Sequence, residues 1–208
     1  MSKAGRNGVT SSTPKNIMFG AGTIHKNLAY TAGTSGATGS WNFEDSIVGA
    51  TAGGSKFSVT PEVTTVEVDG VLVKTKGFHK KTGEAAQMEI NFAEIKTELI
   101  KAAVIGQSTV TEDSTYTKIT TKPDIETGDY WDNIGFVGET LKGKKIIVIM
   151  HNALCTSGFE LEGKNKEAGT LAATFECNAD LEDEGTFDTL PVEIYYPSSN
   201  LSLIHISE

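Results

Sequence analysis

The sequence predicts a mainly β protein, an antiparallel β-sandwich or barrel with one flanking α-helix and long assembly loops. Three observations carry that reading. Apolar and polar residues alternate over several short stretches, as in Ala86, Met88, Ile90 and Phe92 against Gln87, Glu89 and Asn91, the period of a strand with one buried face. Glycine is frequent at 22 residues and proline sparse at 5, which suits many short strands joined by turns. Helical spacing is convincing in one stretch alone, residues 93–105, where Ile95, Leu99, Ala102 and Ala103 recur on one face.

Along the chain, residues 1–15 are polar and read as a flexible arm, and Asn16 to Ala21 reads as a short apolar strand. From Tyr30 to Ser55 the composition turns to Gly, Ala, Ser and Thr around Trp41 and Phe43. A loop of that length is uncommon in a compact domain and is usually functional or ordered by a partner. Phe57 to Pro61 and Val63 to Val68 read as strands, Asp69-Gly70 as a tight hairpin turn, and Val71 to Lys81 as the returning strand. The strand over Glu84–Phe92 leads into the helix, with Asn91 helping to cap its start and Gly106 at its stop. Residues 107–129 are polar and Thr-rich, with one strand around 116–120; further strands are expected over 130–137, 145–151, 159–162, 170–178 and 192–196.

The chain has 208 residues, enough for one medium domain, taken as 16–200, and hardly enough for two. The last eight residues, LSLIHISE (201–208), resemble the in-frame translation of a sequencing-library adaptor and are expected to be non-native. No apolar run approaches the roughly 18 residues of a membrane span, so no membrane partner is expected, and the first 14 residues lack the apolar core of an export signal. The two cysteines, Cys155 and Cys177, stand among apolar neighbours and read as buried thiols. That suits folding in a reducing cytoplasm. A net charge of −9 opposes tight nucleic-acid binding, which requires a basic footprint.

The usual catalytic and cofactor patterns fail on spacing, so neither an enzyme nor a cofactor is expected. Gly20-Ala-Gly22 begins a dinucleotide pattern, but His25 stands where the third glycine belongs. Gly143-Lys144 and Gly163-Lys164 lack the upstream glycine and the following hydroxyl of a phosphate loop. Asp180, Glu182, Glu184 and Gly185 resemble a calcium loop until its twelfth position, which is Pro191 instead of a carboxylate. His151 and Cys155 have no second pair to complete a zinc site, and Cys177 lies on the apolar face of a strand.

The order of segments carries a resemblance. NIMFGAGT leads through a long loop into GATAGGSKFSVTPEVTTVEVDGV. MEINFAEIKTELIKAAVIG and YWDNIGFVGETLKGKKIIVIMHNAL follow, and FELEGKNKEAGTLAATFECNAD and LPVEIYYP close the chain. Over roughly 16–197 this resembles the major tail tube proteins of long-tailed (siphovirus-like) bacteriophages. The resemblance implies a virion protein, assembled in the host bacterial cytoplasm into stacked, hexameric rings that conduct DNA. It implies the chain itself as partner, together with tape measure, tail terminator and distal tail proteins, and double-stranded DNA that passes without specific binding. Tyr30, Trp41 and Phe43 are then candidate inter-subunit residues. Glu89, Glu160, Glu162 and Glu176 are candidates for an acidic lumen, because alternation turns each away from apolar neighbours. A different class of function, a carbohydrate-binding or host-adhesion module, would use Trp41, Tyr130 and Trp131 as sugar-stacking rings.

Overall fold

The structure, a computed structural model, describes residues 7–34, 38–111, 114–161, 165–166, 169–181 and 189–197. The chain is a mainly β sandwich of antiparallel sheets with one flanking helix. Its strands are β1 (Thr23–Lys26), β2 (Tyr30–Thr31), β3 (Ser40–Trp41), β4 (Thr51–Thr65), β5 (His79–Phe92), β6 (Gly106–Val110), β7 (Thr117–Thr121), β8 (Trp131–Glu139), β9 (Lys145–Cys155), β10 (Leu171–Cys177) and β11 (Val192–Tyr195). The helices are the single turn α1 (Phe43–Ser46) and α2 (Thr97–Ala103). The main sheet runs β1-β8-β9-β10-β5-β4, with β11 beside β9, while β2-β3 and β6-β7 form two small separate sheets.

The alternation in β5 becomes its buried face. Ala86, Met88, Ile90 and Phe92 are 3%, 0%, 2% and 0% exposed, and opposite them Leu171, Ala173 and Phe175 of β10 are equally enclosed. Leu99 and Ala103, one turn apart on α2, close the same core. The helix is shorter than its spacing predicts. Asn91 and Phe92 stay in the strand, the amides of Ala93 and Glu94 donate to Ala50 O, and the cap position is Lys96. At the other end Ile105, at φ 46°, makes the left-handed residue one position before the expected Gly106.

The Asp69-Gly70 turn forms, with Gly70 at φ 88° and Val71 N–H donating to Val68 O at 3.1 Å, but it does not set the hairpin. The ladder stops at Thr65–His79, followed by one further bond from Val66 N–H to Phe78 O, and 67–77 form the tip. A two-residue loop would have paired Val68 with Val71 and, continued, Val59 with Lys80; the observed partner of Val59 is Ala86. The two registers differ by six positions along β5, an even number that keeps the same face inward; the observed one sets Phe57 opposite Met88, at the margin of the core.

Strands β8 and β9 bend together. Trp131, Ile134 and Phe136 all join the main core, as do Val148, Met150, Ala153 and Cys155, so the inward face changes between 131 and 134 and between 150 and 153. Asn152 at φ 48° marks the bend. Below it the opposite face carries a second core of Leu28, Val137, Ile147 and Ile149, covered by Trp41 and Phe43. The Tyr30–Ser55 stretch is therefore partly structured: it supplies β2, β3, α1 and the start of β4.

Three further differences stand out. Residues 16–21 make only an isolated bridge, Met18 to Thr140, and the pairing strand is β1, which the alternation did not indicate. The 107–129 stretch contains a full hairpin, β6-β7, instead of one strand. Phe159–Leu161 is not a strand, and both Phe159 (39%) and Leu161 (60%) are exposed. With no sheet to pack against, its alternation had no face to bury.

Candidate assembly surface

The most distinctive surface is the far half of the β4–β5 ribbon. β10 pairs with β5 only along Gln87–Phe92, and β4 is the last strand of the sheet. Beyond Ala86 the ribbon therefore continues with no described strand on either outer edge. A two-stranded ribbon is marginal alone in water, and unpaired edges invite another chain. At its tip Val66, Val68, Val71, Leu72 and Val73 are 51%, 46%, 40%, 97% and 75% exposed. Fully covering one such side chain is worth about 1.5–3 kcal/mol, so leaving five uncovered is costly in an isolated molecule. Residues 66–81 also hold Lys74, Lys76, Lys80 and Lys81 against Glu67 and Asp69, a net +2 on a chain of net −9. The tip itself is apolar and electrically balanced, Lys74 and Lys76 against Glu67 and Asp69; the excess cations are Lys80 and Lys81 in β5, the second paired with Glu84 at 2.8 Å. Alternation alone read 63–68 and 71–81 as paired strands; Leu72, which breaks the alternation beside two valines, was the available signal that these side chains stand outside a sheet.

The aromatic residues expected at subunit contacts pack on their own chain. Trp41 lies 5.2 Å from Tyr30, 6.1 Å from Phe43 and 4.9 Å from Tyr195, measured between ring centroids. Lys145 Nζ sits 3.8 Å above the Phe43 ring, within the range of a cation–π contact. Tyr30 remains half exposed at 51%, so this edge of the cluster reaches the surface. Trp131 is only 6% exposed, against Phe175 at 4.7 Å and under Lys26 Nζ at 4.5 Å, so its ring has no face free for a sugar.

The acidic candidates divide. Thr174 and Glu176 on β10 lie beside Glu89 and Gln87 on β5, on the face opposite Phe175 and Met88, so Glu89 and Glu176 share the outer face of the sheet. Glu89 is not a bare charge. Lys56 stands opposite it on β4 with Nζ at 2.7 Å, and that hydrogen bond and charge hold the carboxyl below its ordinary range. Glu176 accepts from Thr156 Oγ1 at 3.0 Å. Glu160 is exposed in the irregular 158–161 stretch, and Glu162 lies outside the described residues.

Cys155 and Cys177 are buried and unpaired. Burial raises both thiols, Cys177 to about 11, which keeps them from forming the reactive thiolate. Cys177 Sγ approaches the backbone oxygen of His151 at 3.3 Å, while the His151 ring faces Glu193, at 3.3 Å. His79 bonds Thr65 Oγ1 across the β4–β5 ribbon, at 3.1 Å. Among the described residues no three His, Cys, Asp or Glu side chains gather as metal ligands. The cleft between α2 and the start of β8 is bridged by its own charges: Lys26 pairs with Glu98, and Lys122 holds Asp129 at 2.6 Å and Glu126 at 2.7 Å. No protein-family model matches the chain, and no curated protein matches it.

Proposed function

We propose that this chain is a structural subunit that assembles with copies of itself, a tail tube protein of a long-tailed bacteriophage whose stacked rings form a conduit for DNA. The observation that carries the reading is the projecting β4–β5 ribbon, with unpaired edges and an apolar tip, on a body whose core is otherwise well enclosed. The resemblance in segment order supports the same assignment. A heterologous contact that closes makes a ring, and one that does not makes a filament. A ribbon on one copy seated against another copy is a contact of that kind. A net charge of −9 favours a conduit that does not hold DNA. Glu89 and Glu176 remain its candidate lining, with Glu160 and Glu162 as further members.

The test is electron microscopy of concentrated purified protein beside a Leu72→Asp, Val73→Asp variant. Rings or tubes with a central channel in the wild type, and a folded monomer in the variant, are expected. A wild type that stays monomeric at every concentration overturns the proposal.

A further inference from the structure

A second feature lies outside the ribbon and does not depend on the assembly reading. His25 on β1 is 1% exposed, yet it is a titratable side chain with no charge partner. Its Nε2 lies 2.7 Å from Thr23 Oγ1 and its Nδ1 lies 2.8 Å from Ser46 Oγ on α1. The hydrogens can be assigned from the chain of bonds. Ser46 has one hydroxyl proton, and it points at Asn42 O, 2.7 Å away. Ser46 Oγ must therefore accept from His25 Nδ1–H, which leaves Nε2 as the acceptor of the Thr23 hydroxyl. His25 is a neutral ring with both nitrogens committed.

The segment it holds is the cover of the second core. Ser46 belongs to α1; Phe43, at the start of that turn, packs edge-on to the His25 ring at 5.8 Å; and Trp41, just before it, stacks on Phe43. Past the turn the segment is held by Val48 N–H to Ile24 O, Lys96 Nζ to Val48 O and the isolated bridge from His25 to Ile47; before it, by the short β2-β3 pairing and by Asn42, bonded to Ala29 and Asn27.

We propose that His25 is the latch of an acid-sensitive flap: residues 40–48 stay closed over Leu28, Val137, Ile147 and Ile149 while the ring is neutral, and open when it is protonated.

The surroundings favour a second proton only through the Phe43 backbone oxygen, and burial and a neighbouring cation outweigh it. On β8 the register partner of His25 is Gly135. On α1, Glu44 and Asp45 are exposed, and the ring's bond is to Ser46. On β9 the nearest charge is Lys145, a cation, and on β1 itself Lys26 turns to Glu98 and Trp131. A proton on Nε2 would displace the Thr23 hydroxyl proton and bury a cation beside another. Burial first, and Lys145 second, hold the ring down at about 4. The local response is to release 40–48 from the sheet and let water reach the ring. The main core, which contains no ionisable ring, stays intact.

The chain has two tryptophans, so Trp131→Phe leaves Trp41 as a reporter of the flap. On acidification, Trp41 emission should shift to the red and lose its protection from acrylamide between pH 6.5 and 4, before far-UV circular dichroism changes. In the His25→Gln variant that early transition should vanish. A single transition in which Trp41 and circular dichroism move together overturns the proposal, as does an unchanged Trp41 transition in His25→Gln. If His25→Gln does not fold, the His25 ring proton is followed by NMR in the parent protein. Its titration must coincide with the Trp41 change; a ring that titrates near 6.5 with Trp41 still protected refutes the latch.

Discussion

Single residues in this protein act mainly through where the backbone places them. Gly20 and Gly22 both take positive φ, 98° and 71°, but differ in their surroundings. A Cβ on Gly20 would meet open space, whereas one on Gly22 would stand 2.9 Å from Val137 O and press on the Phe136 ring. Gly22→Ala should therefore cost about 2–3 kcal/mol and Gly20→Ala about 1, the difference measuring the clash, by chemical denaturation. Phe175, 1% exposed between Trp131 and the β5 face, is a core anchor. Phe175→Ala should cost about 3–5 kcal/mol in the same assay. The folded pKa of His25 is depressed to about 4 from 6.5. Its contribution is thus fully present above pH 6.5 and lost as pH falls toward 4, because the unfolded chain binds a proton that the folded one refuses. The loss should be of the order of 3 kcal/mol, read as a falling denaturation midpoint over that window.

At the scale of elements, the second core depends on a stretch that composition alone makes look dispensable. Trp41 ties β2-β3 to α1 and to β11 through Tyr30, Phe43 and Tyr195. Trp41→Ala should lower stability by about 2–4 kcal/mol, and removing the whole Tyr30–Ser55 stretch should unfold this half of the sheet, since it also takes away the first residues of β4. The ribbon tip behaves in the opposite way. Its side chains touch solvent, so Leu72→Asp with Val73→Asp should leave the melting temperature within about 2 °C of the parent. A larger drop would mean that the tip packs on its own body.

For the whole molecule, the balance between assembly and dispersal is set by apolar contact against like-charge repulsion. Each copy brings net −9, and exposed charges are screened beyond about 10 Å at 0.1 M salt. Raising salt from low to moderate concentration should therefore increase association, followed by sedimentation velocity, and the increase should be absent in the Leu72→Asp, Val73→Asp variant. Association that weakens with salt would instead indicate that charge pairing, through Lys74, Lys76, Lys80 and Lys81, dominates the contact.

Much of this was legible from residue order. The inward faces of β5 and β10, where β8 and β9 start, and the position of α2 follow from local sequence, because a side chain's face depends on its immediate neighbours along the strand or helix; the run of β9 on to Cys155 does not. The burial of both cysteines was legible for the same reason. What local order could not carry was pairing. The Asp69-Gly70 turn forms, but the ladder ends at Thr65–His79, so the offset of β4 on β5, which sets Phe57 opposite Met88, is decided by pairing along the whole ribbon and not by one turn. The bend at Asn152, which gives β9 two buried faces, and the seating of Trp41 and Phe43 on the second of them, require segments far apart in sequence to meet. His25 shows the limit most plainly: in the sequence it is a lone histidine between isoleucine and lysine. Only the fold surrounds it with Ser46, Phe43 and Lys145 and makes its protonation costly, because burial and hydrogen bonding are properties of the space around a residue and not of its neighbours in the chain.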